Sequence, residues 1–337
     1  MPVLGTLSAA VARARRRRYA ARPDLRHRLD CPVVSVGNVA VGGRGKTPVV
    51  QALAGWLRDE GWRPAILSRG YGRADQDDGV VVVSDGIRMH ADLARSGDEP
   101  LMLARALPGV AVLVCPDRHI AGRLAERHLG ATIHVLDDGF QHLALERTVD
   151  LVLVDPADEI DAGVLPFGRL REPLDALHAA DAVLWTGEGD VSEAAARLGV
   201  AHAFRAVRHT GPVRPGLMGD EAPPPGTRVV AVCGIARPEP FIEGLRADGY
   251  DVASTVTFRD HHRFSPADLA RVHALCTSTG AAGVITTEKD WMRLLPLRPL
   301  GLPVAWRGVS VSIDPLDAFA AWLRSRVGVP RQRGAAA

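Results

Sequence analysis

The string Gly42-Gly43-Arg44-Gly45-Lys46-Thr47 constrains this chain more than any other feature, because it lies between a short apolar run, Val33–Val36, and an amphipathic stretch, Pro48–Glu60. A strand, a glycine-rich turn and a helix in that order are the context of a phosphate-binding loop. Glycines admit positive φ and let backbone N–H groups approach phosphate oxygens, while the helix N-terminus adds its dipole. Lys46 supplies a charge toward β- and γ-phosphates, and Thr47 carries a hydroxyl suited to Mg²⁺. Pro48 is tolerated because the first helical turn has no intrahelical N–H bond to lose. The general pattern GxxxxGK[ST] would put glycine at position 40, where this chain has Ala40, so the match is to the second half of the motif. The alternative is a glycine-rich turn without a ligand.

A second element supports the first. Ile133–Leu136 ends in Asp137-Asp138, the apolar strand followed by aspartate of a Walker B element, which positions Mg²⁺ at the carboxyl end of a sheet. Alone it is weak, since aspartate at a strand end is often a turn former or a cap. Further apolar runs at Ala65–Leu67, Ala111–Val114 and Leu151–Val154 alternate with helix-like stretches such as Ile120–His128, the mark of βαβ units around a parallel sheet. Val80–Val83, bracketed by turn residues, reads as a hairpin beside that sheet.

Residues 211–227 are rich in proline and glycine, and a second α/β alternation follows: strand-like Val229–Val232, helix-like Pro238–Asp248, strand-like Val252–Thr257, helix-like Pro266–Thr277, strand-like Gly283–Thr286 and a terminal helix near Pro315–Arg326. The expected organisation is α/β, a P-loop NTPase-like parallel sheet flanked by helices plus a second, smaller α/β domain. Its boundaries are an N-terminal segment 1–30, a nucleotide domain 31–210, a linker 211–227, a second domain 228–328 and a disordered tail 329–337.

The net charge of +2 conceals an asymmetry, because residues 1–30 hold eight arginines against Asp24 and Asp30. Val3, Leu4, Leu7 and Val11 recur at helical spacing before Arg13, Arg15, Arg16, Arg17 and Arg18. Such a basic amphipathic helix suits an anionic membrane surface, and equally a solvated tail or a nucleic-acid contact. No RRM, KH or helix-turn-helix signature supports nucleic acid. Cys31, Cys115, Cys233 and Cys276 form neither a metal spacing nor a disulfide framework, which fits a reducing cytosol. No apolar run reaches membrane-spanning length and no secretory signal is visible, so the expectation is a chain neither spanning nor secreted.

A guanine-binding [NT]KxD element is missing, since Thr287-Glu288-Lys289-Asp290 has the wrong spacing; ATP is therefore the expected nucleotide. The remaining dense polar strings run in order: Ser35-Val36-Gly37-Asn38 before the phosphate loop, Ser68-Arg69-Gly70-Tyr71-Gly72, Gly97-Asp98-Glu99-Pro100, Asp137-Asp138-Gly139-Phe140-Gln141-His142, Leu170-Arg171-Glu172-Pro173 and Asp260-His261-His262. In that order, over about residues 31 to 295, they resemble the tetraacyldisaccharide 4′-kinase family, the lipid A 4′-kinases of Gram-negative bacteria.

The resemblance implies ATP- and Mg²⁺-dependent phosphorylation of the 4′-hydroxyl of an acylated glucosamine disaccharide 1-phosphate, giving lipid IVA. It also implies a peripheral enzyme on the cytoplasmic face of the inner membrane, with its active site in a cleft between two α/β domains and with no protein partner required. Residue by residue, it makes Lys46 and Thr47 the phosphate and Mg²⁺ ligands, Asp137 and Asp138 the Walker B carboxylates, and Asp98 the base. His261, with His262 adjacent, matches the histidine paired with that base, and Glu172 is similar to a nucleotide contact. Arg69, Arg118 and Arg171 are candidates for phosphate, joined by Asn38, Ser68, Gln141 and His142. Arg44 stands where the family more often has a small hydroxyl residue, and the N-terminal segment is shorter than usual there.

Plainer readings stand beside these. Asp98 suits a helix cap before Pro100. Adjacent histidines cannot easily share one metal ion. The arginines suit ordinary solvated ion pairs, and Glu288-Lys289-Asp290-Trp291 carries no assigned role. The competing class is an ATP-driven switch that hydrolyses without an acceptor.

Overall fold

The computed structural model describes residues 2–43, 45–75, 79–160, 163–216 and 221–330. Twelve strands are present among them: β1 Val33–Asn38, β2 Pro64–Ser68, β3 Val81–Asp85, β4 Ala111–Val114, β5 Ile133–Asp137, β6 Val149–Val154, β7 Ala182–Trp185, β8 Ala203–Pro215, β9 Arg228–Cys233, β10 Asp251–Thr257, β11 Gly283–Thr287 and β12 Val304–Asp314. The helices are α1 Pro2–Ala21, α2 Lys46–Asp59, α3 Leu93–Ser96, α4 Asp98–Ala106, α5 Arg118–His128, α6 Pro156–Ile160, α7 Val191–Leu198, α8 Glu239–Ala247, α9 Pro266–Thr279, α10 Glu288–Leu294 and α11 Leu316–Val327. β1, β2, β4, β5 and β6 are buried along their whole length, which explains why they read as continuous apolar runs rather than alternating ones.

All the strands belong to one sheet, in the order β10-β9-β11-β12-β8-β7-β6-β1-β5-β2-β4-β3. Pairing is parallel except for β3 with β4 at one edge and β8 with β12 in the middle. The β8–β12 ribbon is the seam: strands on one side of it form the phosphate-loop half, and β9, β10 and β11 form the second half. Parallel strands place loops and helix starts at their carboxyl ends, where ligands of open α/β sheets bind. Here the carboxyl ends of β1, β2 and β5 supply Asn38, Ser68 and Asp137, while those of β9, β10 and β11 lead into Gly234, His261 and Lys289.

Residues 211–215, expected to open a linker, instead finish β8. Gly211 and Pro212 lie at a register shift opposite Gly308, between the Val213–Arg307 and Thr210–Val309 pairs. A bulge relieves proline of the ladder hydrogen bond it cannot make, so the punctuation read as a break is a kink inside a strand. Residues 217–220 and 331–337 lie outside the described residues, as does Arg44.

One apolar cluster runs from Val34 and Leu53 of the first half through Phe204 to Val230, Trp291 and Phe319. α11 returns across the seam, with Phe319 edge-on to Phe204 at a centroid separation of 5.2 Å. Arg324 of the same helix pairs with Glu60 at 2.8 Å.

α1 is helical, as expected, but it is seated on the body of the protein. Arg13 Nε donates to Asp175 at 2.6 Å and Arg16 Nε to Glu172 at 2.7 Å, while the Arg16 guanidinium lies 4.1 Å from the centre of the Phe140 ring. Leu7 and Val11, one turn apart, remain 57% and 59% exposed.

Candidate active site

The phosphate loop leaves β1 and enters α2 through Gly45, which caps the helix in the left-handed region at φ 82°; Gly42 has φ 98°. Lys46 Nζ donates to Asn38 Oδ1 at 3.0 Å and lies 3.4 Å from Asp138 Oδ1. Gly37 shows why the neighbouring turn sits so close: a Cβ there would fall 2.4 Å from Cβ of Phe140. The turn after β5 is thereby laid directly on β1, and Gln141 Nε2 donates to the Asn38 carbonyl at 3.0 Å. Arg171 donates to that carbonyl at 3.2 Å and to the Asn38 amide oxygen, and reaches both oxygens of Asp138 at 2.7 Å. Asn38 is thus the junction at which Lys46, Gln141 and Arg171 meet.

The two aspartates are held differently. Asp138, at φ 57°, occupies a left-handed conformation uncommon for a residue with a side chain. Burial pushes its carboxyl up, but the Arg171 hydrogen bond and the Lys46 charge outweigh it and hold the group down at about 2. Asp137 is enclosed and accepts a hydrogen bond from Ser68 Oγ at 3.3 Å. Burial, then the charges of Glu99 and Asp138, push its carboxyl up to about 7. A buried carboxylate with surplus negative charge around it is a fit for a divalent cation, and Thr47 stands in the first turn of α2 to complete an all-oxygen set.

Arg118 begins α5 and is buried, with Nη1 donating to the Pro116 carbonyl at 2.8 Å and Nε without a partner among the described residues. Burial, then the charge of Arg69, push its guanidinium down. His142 is pushed down to about 4 by burial and then by Arg118. The Arg118 guanidinium fits a phosphate better than a salt bridge, with His142 beside it as a neutral hydrogen-bonding ring. Arg69 itself is exposed. Glu172 points elsewhere, its carboxylate taken by Arg16 of α1.

In the same half as the phosphate loop, Asp98 is the first residue of α4 and is only 6% exposed. The cap position of α4 is Gly97, so Asp98 is not the N-cap; its Oδ1 accepts from the Glu99 N–H at 2.9 Å, and Oδ2 does more. It faces His261 Nδ1 at 3.1 Å and accepts from Arg293 through Nε at 2.7 Å and through Nη2. Burial pushes the Asp98 carboxyl up; the His261 hydrogen bond and the Lys289 and Arg293 charges together outweigh it and leave the group below the ordinary range. His261, not His262, is therefore the histidine beside Asp98. His262 stacks on Phe258 at 4.3 Å and bonds Asp268 at 3.0 Å.

Sequence reasoning missed α10. Lys289 and Arg293 lie one turn apart on it, so both reach the α4 start. Lys289 Nζ contacts Glu99 Oε1 at 2.9 Å and His261 Nε2 at 3.2 Å. Arg293 Nη1 also bonds Asp290 Oδ1 and the Gly234 carbonyl, each at 2.8 Å. The available signal was positional: a charged string directly after an apolar strand, the place where Asp137-Asp138 also sits.

A phosphate loop, a Walker B pair and a carboxylate–histidine pair next to Glu99, whose charge acts on Asp137, define a P-loop phosphotransferase. The family model described as tetraacyldisaccharide-1-P 4′-kinase matches residues 1–328. The chain is 41% identical over 314 residues to the tetraacyldisaccharide 4′-kinase of Geobacter metallireducens, covering 90% of this chain and 91% of that one. With the protein of the same name from Anaeromyxobacter sp. strain K it shares 45% over 280 residues, 79% of this chain and 73% of that one. A crystal structure of LpxK from Aquifex aeolicus in complex with ATP superposes with a TM-score of 0.78 at 29% identity, over 96% of this chain and 97% of that one. The chain belongs to the tetraacyldisaccharide-1-phosphate 4′-kinase family.

Proposed function

We propose that this chain transfers the γ-phosphoryl group of ATP to the 4′-hydroxyl of tetraacyldisaccharide 1-phosphate, giving lipid IVA, with Asp98 as the base. The observation that carries the role of Asp98 is its placement: a buried carboxylate gripped by His261 and Arg293 of the second half, next to Glu99, whose charge reaches the Walker B residue Asp137. An ATP switch without an acceptor has no use for such a group.

The chemistry follows from the contacts. Oδ2 of Asp98 is saturated by His261 and Arg293, whereas Oδ1 has one donor, the Glu99 N–H, and a lone pair to spare. Oδ1 takes the proton of the 4′-hydroxyl as its oxygen bonds to the γ-phosphorus, and the bond from that phosphorus to the β,γ-bridging oxygen breaks to release ADP. A positioned base contributes on the order of 10²–10⁴ in rate. Lys46, released from Asn38 by the nucleotide, offsets charge on the transferring group, where most catalysis of this step lies. Thr47, Asp137 and Asp138 would hold Mg²⁺, which supplies further charge stabilisation. Arg118, Arg69 and His142 serve the phosphate groups of nucleotide or lipid, and Arg171 keeps Asp138 and Asn38 in place.

The expected domain division is read here as two lobes meeting at the β8–β12 seam, with catalysis in the cleft between them. Exposed Leu7 and Val11 together with the α1 arginines would dock on the anionic cytoplasmic face of the inner membrane as a peripheral contact. No described helix is long and apolar enough to cross a membrane. The test is transfer of radiolabelled γ-phosphate from ATP to tetraacyldisaccharide 1-phosphate in detergent. Labelled bisphosphorylated lipid is the expected product; ATP hydrolysis without labelled lipid would move the assignment to an ATP switch.

A further inference from the structure

We infer that Lys289 is a positioning residue which holds His261 in the neutral tautomer carrying its proton on Nδ1, aimed at Asp98. This rests on the reading of Asp98 as the base and adds to it the group that orients the orienter.

An ammonium has three N–H donors and no lone pair. With Lys289 Nζ at 3.2 Å from His261 Nε2, that ring nitrogen has to present its lone pair, and the ring proton has to reside on Nδ1. Nδ1 is the atom 3.1 Å from Asp98 Oδ2, so the proton is delivered to the carboxylate that needs a donor there. The opposite tautomer would set an Nε2–H against an ammonium and a ring lone pair against a carboxylate, two repulsive contacts in place of two hydrogen bonds.

The rest of the surroundings agrees. The other acceptors around Lys289 Nζ are Glu99 Oε1 at 2.9 Å and Asp260 Oδ1 at 3.4 Å, so its three donors are directed to the first half, to the histidine loop and to the ring itself. Burial pushes the Lys289 ammonium toward losing its proton, but Glu99, Asp98 and Asp260 outweigh this and keep it charged, hence unable to accept. The ring is also fixed in place. His261 adopts φ 59°, its N–H bonds Asp260 Oδ1 at 3.0 Å, and Tyr71 meets the imidazole edge-on at 5.4 Å between centroids. Lys289 and His261 both belong to the second half, so the ring is oriented within that half and presented to Asp98 of the first, while the Lys289–Glu99 bond ties the two halves at the same point.

The experiment uses the full chain with ¹⁵N-labelled histidine and reads the ring tautomer by two-bond ¹H–¹⁵N correlation, the His261 signals being those lost in His261→Gln. Wild type should show the Nδ1–H pattern. Lys289→Met, of similar length but with no donor, should lose that pattern and lower kcat by about 10²-fold with little change in the KM for ATP, whereas Lys289→Arg should restore both. An Nε2–H or imidazolium pattern in wild type overturns the inference whether or not any variant folds. So does a Lys289→Met enzyme with unchanged kcat, or one whose kcat falls while the Nδ1–H pattern persists. Failure of the base assignment looks different: Asp98→Asn would then turn over like wild type, whatever the spectrum of His261.

Discussion

The two walls of the candidate site, one around the phosphate loop and one around Asp98, are built on opposite plans. On the phosphate-loop side, backbone shapes the cradle: glycine φ angles at Gly42 and Gly45 and the close approach at Gly37 set it, and Lys46 rests on the Asn38 amide and, at 3.4 Å, on Asp138, from which a nucleotide can draw it away. On the Asp98 side, side chains do it. Asp98, His261, Lys289, Arg293 and Asp290 form one run of charge, buried at Asp98, Arg293 and Asp290 and half-buried at His261 and Lys289, in which each member satisfies the next. The first wall is adaptable and waits for a ligand, whereas the second is complete before any ligand arrives. Removing a member of the second wall should therefore damage both catalysis and stability, whereas removing Lys46 from the first should damage catalysis alone.

The sharpest test of that contrast is Asp98→Asn. Turnover should fall by roughly 10²–10⁴, the worth of a positioned base, while ATP affinity barely changes. Lys46→Ala should lower kcat by about 10²–10³, the cost of losing one preorganised group that stabilises developing charge, with thermal stability close to wild type. A large drop in melting temperature for Lys46→Ala would erase the distinction between the walls.

Arg293→Met probes the other half of the comparison. It strips the buried carboxylates of Asp98 and Asp290 of their shared partner, and breaking a buried pair from one side costs about 3–5 kcal/mol. Urea unfolding of the variant should show that loss; a midpoint equal to wild type would mean that the second wall is not held by its charges.

This difference also explains how much could be read in advance. A phosphate loop announces itself because its φ requirements restrict the residues to glycine, and the apolar strands before and after it are buried on both faces, so β1, β2, β4, β5 and β6 stand out as uninterrupted runs. Lys289 and Arg293 answer to no such restriction. Their positions are intelligible only once β11 is known to end beside the start of α4, a proximity created by tertiary folding. β8 and β12 were hidden for a related reason. Only their first residues alternate buried with half-buried, the rest being mostly half-buried or exposed, and β8 carries Pro212 in a bulge, so composition suggested a linker where the ribbon joins the halves. The α1 arginines were legible as charge but not as contacts, since nothing in their spacing says that Arg16 will reach Glu172.

The Asp137 carboxyl gives a pH test of the first wall. Its ordinary value is 3.8 and burial, Glu99 and Asp138 raise it to about 7 in the folded chain. Between those values the native state holds a proton that the unfolded chain has released, so stability without Mg²⁺ should fall as pH rises from about 4 to about 7 and level off beyond. Asp137→Asn should flatten that slope, and Mg²⁺ with ATP should oppose it by binding the ionised form. A wild-type stability that rises across the same interval at the same slope as the variant's would show that Asp137 is not held protonated.

The smallest effect concerns α1, which touches the first wall from behind. Deleting residues 1–28 removes the exposed Leu7 and Val11 and the arginine run, and partition onto vesicles containing anionic lipid should weaken, more so at low salt where the arginines count most. Turnover of detergent-dispersed substrate should survive, because Lys46, Asp98 and His261 take no hydrogen bond from this segment. Arg16→Ala is the finer cut. It leaves the exposed Leu7 and Val11 in place and frees the buried Glu172 carboxylate, and losing a charged hydrogen bond of that kind costs about 1.5–3 kcal/mol. If vesicle partition falls in Arg16→Ala as far as in the deletion, the seat of α1 on Glu172 and Phe140 orients the membrane contact; if partition is unchanged while stability drops, the seat belongs to the architecture of the first wall.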